Sequence, residues 1–134
     1  MDAAQADRGR TLTEISNAFV SLHREHYGRG AVRARTIMQD NYVVCFLDDI
    51  YTPVEHTLLN AGRIDSVRTT RLAFQDAMAP LFREAVTKAT GRRVVAFMSQ
   101  VHIEPDMAAE IFVLEEDASA SRDGTAEDAA AATP

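Results

Sequence analysis

The stretch from Leu22 to Thr36 gathers the residue types best suited to holding an anion. Four arginines, Arg24, Arg29, Arg33 and Arg35, surround the glycines Gly28 and Gly30, with His23 and His26 just before them. Glycines let backbone amides turn toward negative charge, and arginine grips a carboxylate or phosphate with two parallel donors. Arg33 and Arg35 stand two apart, so on a strand they share a face and lengthen that grip. The stretch lacks both the G-K-[ST] ending of a phosphate loop and the strand-to-helix order of a dinucleotide fingerprint. The expectation is a binding site for a small anion or a partner protein at Arg24, Gly28, Arg29, Gly30, Arg33 and Arg35. The plain alternative is a helix stop followed by solvated strand arginines.

A small metal-dependent enzyme or metal-binding protein is the second reading. His23 and His26 are spaced i, i+3 and can share a helix face, with His102 as a third ligand and His56 within reach of folding. The single cysteine, Cys45, sits in an apolar run, which excludes an internal disulfide and suggests a small buried hydrophobe rather than a nucleophile. Asp48-Asp49 is a paired carboxylate suited to acid/base work or a cation, or simply a turn. Polar groups gather again from Ser99 to Asp106, as a site facing the Gly/Arg loop or as a long connection. None of these makes a complete catalytic set, no catalytic residue is assigned, and no cofactor motif is present.

These residues need elements to position them. Thr11-Leu-Thr-Glu14 has the form of a capping box, and Leu12, Ile15, Phe19, Leu22 and His26 follow at helical spacing. A helix is predicted from Leu12 to Tyr27, stopped by Gly28. Val32–Gln39 alternates and reads as a strand with one polar face. Asp40-Asn41 suits a tight turn, and Tyr42–Leu47 is continuously apolar. A strand without polar alternation is expected to be buried on both faces, which points to a homodimer.

Thr52-Pro53-Val54-Glu55 is a second capping box and opens a short helix to Asn60. A third helix is predicted over Ser66–Thr90, capped by Asp65, with Val67, Phe74, Met78, Leu81, Phe82 and Val86 inward. Pro80 should kink or divide it. Arg92–Val101 is the third strand, with Val95, Phe97 and Val101 on one face and Val94, Ala96 and Met98 on the other. Ala108–Glu115 is the fourth. The order α-β-β-α-α-β-β favours an α+β domain with a four-stranded antiparallel sheet packed against helices.

The chain has 134 residues, suited to one core. Residues 1–10 read as a disordered leader, 11–115 as the folded domain, and 116–134 as a disordered acidic, alanine-rich tail. Net charge is −6. Residues 11–115 hold eleven basic against thirteen acidic groups, so most of the excess lies in the tails. That balance disfavours nucleic acid as a partner. No apolar run approaches the ~20 residues of a membrane span, and the N-terminus does not resemble a signal peptide. The expected location is the cytoplasm, at most peripheral to a membrane complex.

Several motifs stand together in a familiar order. They are Ile-Ser-Asn-Ala-x-Val-x-Leu-His-Arg-Glu (15–25), Tyr-Gly-Arg-Gly (27–30), Ala-Arg (34–35), Thr-Pro-x-Glu (52–55) and Ala-Gly-Arg (61–63). Val-Arg (67–68), Phe-Gln (74–75), Thr-Gly-Arg-Arg-Val (90–94), Ser-Gln-x-His (99–102), Pro-Asp (105–106) and Phe-Val-Leu (112–114) follow. This order resembles a family of small bacterial proteins, long catalogued as a domain of unknown function and labelled MpsC. The label comes from a subunit of a sodium-translocating, membrane-potential-generating system. The resemblance covers about residues 12–115, and departs from the family pattern at Ala31, where proline is usual. It implies a soluble accessory or regulatory protein beside separate membrane-transport subunits, without catalytic residues to carry over.

Overall fold

The computed structural model describes residues 3–28 and 33–116. Seven elements follow the predicted order. They are α1 (Ala3–Tyr27), β1 (Arg33–Gln39), β2 (Tyr42–Asp48), α2 (Pro53–Asn60), α3 (Ile64–Thr90), β3 (Val94–His102) and β4 (Met107–Leu114). The strands form one antiparallel sheet ordered β1-β2-β4-β3. The two hairpins therefore meet through β2 and β4, with β1 and β3 at the edges.

One face of this sheet carries the core. Val43, Cys45 and Leu47 of β2 and Phe112 and Leu114 of β4 pack there with Ile15 and Phe19 of α1 and Val67, Phe82 and Val86 of α3. Phe19 lies between Phe82 and Phe112, with ring centroids 5.0 and 5.6 Å away. The i, i+4 rows Ile15-Phe19-His23 and Val67-Arg71-Gln75 turn one stripe of each long helix inward.

Among the described residues of the single chain, the opposite face is open. Val43, Cys45 and Leu47 are fully buried, but Val44 and Phe46 remain partly accessible and Tyr42 is 53% exposed. The described helices cover one side only. The cross-strand row Ile37-Val44-Ile111-Met98 runs through the middle of the open side.

α1 begins at Ala3 rather than Leu12, so the segment expected as a leader is helical from that residue. Alanine, glutamine and arginine are strong helix formers, and Arg8 donates to the Met38 carbonyl, which ties this turn to β1. Thr11 is accordingly no cap: inside the helix, its hydroxyl donates to the Asp7 carbonyl. α3 starts at Ile64 with no side-chain cap on it, and Asp65 lies in its first turn. It runs through Pro80 as one helix. Pro80 and Leu81 both face solvent.

β3 departs from strict alternation. Its register slips between Val94 and Ala96, a bulge at Val95. The extra residue puts Val94 and Phe97 on the same inner face, where plain alternation would separate them.

Candidate functional site

The helical end of the molecule is built around Arg71. This guanidinium is 2% exposed. Its Nε and Nη2 donate to the two carboxylate oxygens of Glu55 at 2.7 and 2.6 Å, and Nη2 also donates to the Ile50 carbonyl at 2.7 Å. Tyr27 and Tyr51 lie against it, with ring centroids 4.1 and 4.9 Å from Cζ. The Tyr27 hydroxyl donates to Glu55 as well.

Glu55 belongs at the same time to the capping box of α2. Its carboxylate accepts from the Thr52 amide, and its own amide donates to the Thr52 hydroxyl. Burial opposes the charged form, but hydrogen bonds from Arg71, Thr52 and Tyr27 hold the carboxyl below its usual range. One side chain thus fixes the start of α2, the end of α1 and the middle of α3.

Beside this clamp lies a groove of about 640 Å³ between the end of α1, α2 and α3, lined by His26, Tyr27, Val54, Leu58, Val67 and Phe74 among others. Its walls are mostly apolar, and Val54 on its rim is 70% exposed. It opens next to Gly28, whose φ of +77° ends α1.

The predicted anion-site residues divide. Arg24 is exposed in the last turn of α1. Arg29 and Gly30 lie outside the described residues. Arg33 and Arg35 both project from the open face of β1. Arg33 stands 3.8 Å from Asp48 with its side chain 79% exposed, so the contact leaves the guanidinium accessible.

The histidines occupy unlike places. His23 is a core residue: its Nδ1 donates to the Phe19 carbonyl at 2.9 Å, and its ring stacks on Phe82. Burial lowers its pKa, helped by the Arg71 charge and opposed by the Phe19 hydrogen bond. His26 is exposed on the groove wall. His102 is exposed and bonded through Nδ1 to the Pro105 carbonyl. Among the described residues, the side chains close enough to share an ion are instead Asp49, His56 and Asp106. Cys45 is buried on the inner face, and burial pushes its thiol up to about 12.

Two functional features escaped the sequence reading. Arg71 was legible in principle, since it is a charge on the apolar stripe of α3, four residues from Val67. Glu110 is the other. It faces inward from β4, 2% exposed, in the cross-strand row Thr36-Cys45-Glu110-Ser99. Its Oε2 has no hydrogen-bond partner among the described residues. Burial pushes this carboxyl up to about 7, while the nearby Ser99 hydroxyl and the Arg71 charge act against the rise.

The family profile described as the Na+-translocating membrane potential-generating system (MpsC) matches residues 7–116. The chain belongs to the MpsC family. The match takes in α1 from residue 7 onward and the other six elements whole, and with them the clamp, the groove and the open sheet face. Another relative is the uncharacterized protein YbcI of Bacillus subtilis (strain 168), 24% identical over 91 residues, which cover 67% of this chain and 73% of that protein. No solved structure matches the chain. In this MpsC-family chain, no described helix is long and apolar enough to cross a membrane.

Proposed function

We propose that this chain is a non-enzymatic accessory or regulatory domain of the Na+-translocating system for which its family is described. It acts as a cytoplasmic homodimer and holds a partner protein or an anionic ligand through the Gly/Arg loop. The partner is a separate membrane-transport subunit, and the domain is peripheral to it.

The open sheet face carries this reading. Ile37 and Met98 are 46% and 52% exposed at the two ends of one cross-strand row, with Val44 and Ile111 between them. Phe46, Ala109 and Val113 continue the apolar surface, and Arg35, Gln39 and Gln100 border it. An apolar centre with a polar rim is the anatomy of a protein interface. Four strands about 4.8 Å apart and about seven residues long give a footprint of roughly 19 by 23 Å. That is about 440 Å² of flat area, roughly half the ~800 Å² per partner of a standard interface before side-chain relief is added. Pairing two such faces leaves Arg33 at the margin, with its side chain 79% exposed and open to a further partner.

The loop half of the proposal has its own test. Wild-type and Arg29→Ala/Arg33→Ala protein are titrated by calorimetry with inorganic phosphate. Loss of binding with an unchanged fold supports the loop, and unchanged binding removes it from the account.

A further inference from the structure

The connector after β2, the first turn of α2 and the β3–β4 turn bring Asp49, His56 and Asp106 together. We infer that these three side chains form a site for a divalent first-row transition ion of the zinc or manganese type. One ligand atom from each lies within 4.8 Å of the others, and His56 Nε2 is 3.8 Å from Asp106 Oδ2. Donors bound at about 2.1 Å in a tetrahedron stand about 3.4 Å from one another, so the set closes on an ion with side-chain movements of about 1 Å.

Groups outside the ligand set orient it. Asp106 accepts from the Ile50 amide at 2.9 Å through Oδ1 and from the Tyr51 amide at 3.2 Å through Oδ2. The Tyr51 ring meets the His56 ring edge-on, with centroids 6.1 Å apart. Tyr51 is itself anchored by its hydroxyl, which donates to the His102 carbonyl. Fixed carboxylates backed by amides are the support that metal ligands characteristically receive.

The donor chemistry selects the ion. Two carboxylates alone would make a solvated acidic turn. The imidazole between them adds a nitrogen donor, which suits zinc or manganese over the all-oxygen preference of calcium and magnesium. Three protein donors leave further positions for water or for a group from a partner. A bound ion ties α2 to the β3–β4 turn.

The site is independent of the sheet face and of the Gly/Arg loop. Its test is calorimetric titration of the full-length protein with zinc, manganese and calcium chloride, repeated on His56→Ala and Asp49→Asn. Asp106 is left intact because its carboxylate holds two backbone amides. The inference expects one equivalent of zinc or manganese at micromolar affinity or tighter. Each variant should weaken it at least tenfold with an unchanged circular dichroism spectrum, and zinc should shift the His56 imidazole nitrogen resonances of the wild-type protein. Absence of saturable zinc or manganese binding, equal affinity for calcium, or binding unchanged in both variants (an adventitious ion only) would overturn it.

Discussion

Arg71 and Glu55 each depend on the other to be tolerated in the interior. Removing one member of a buried ion pair leaves an uncompensated charge, at a cost of about 3–5 kcal/mol. Arg71→Met should therefore lose that amount in urea unfolding. Arg71→Met/Glu55→Gln should be less destabilised than the single change, because no unpaired charge remains. Glu110 poses the opposite problem, a buried carboxyl with an unsatisfied oxygen. Its folded pKa of about 7 lies above the ordinary value of 4.5. Between those limits the folded state holds a proton that the unfolded chain has released. Stability from this group is complete below pH 4.5 and is lost as pH rises through about 7, by roughly 3 kcal/mol in all. His23 works in the other direction, since its lowered pKa removes stability as pH falls below 6.5. The difference between wild-type and Glu110→Gln unfolding curves at pH 5 and pH 8 isolates the carboxyl: the wild type should lose more stability on going to pH 8. Cys45, buried with its thiol near 12, should resist a thiol-specific reagent at pH 8 until the protein unfolds.

At the scale of elements, the patterns with a local physical cause were readable. Thr52-Pro53-Val54-Glu55 predicted the box that opens α2, and both reciprocal hydrogen bonds form. Thr52→Ala should cost about 1 kcal/mol by thermal melting. The turn at Asp40-Asn41 was equally plain. What was hidden depends on tertiary contact. Thr11-Leu-Thr-Glu14 has the letters of a cap, yet the preceding alanines continue the helix and convert Thr11 to an interior residue. The Val95 bulge moved Val94 inward, and no single-strand pattern records such a slip. Pro80 was expected to kink or divide α3, which runs through it as one helix. With proline costing up to ~3 kcal/mol inside a helix, Pro80→Ala should raise the unfolding midpoint. The candidate site was less legible than the fold. The Gly/Arg stretch was visible as chemistry, whereas His56 and Asp106, fifty residues apart in the chain, meet only through the packing of α2 on the β3–β4 turn.

For the whole molecule, the decisive feature is a sheet with one covered face and one bare one. The continuous apolar run of β2 was read as needing cover on both sides. The described residues supply only the first, with Val43, Cys45 and Leu47 shielded and Val44 and Phe46 left at the surface. A second copy supplying the missing cover is the central claim. Analytical ultracentrifugation of the full-length protein at micromolar concentration tests it most directly. The account predicts a species of twice the 14.7 kDa chain mass, returning to one chain mass when Ile37 and Met98 are both replaced by lysine without loss of secondary structure. A wild-type protein sedimenting as a single chain up to about 100 µM, well above the micromolar range of a stable interface, would contradict it.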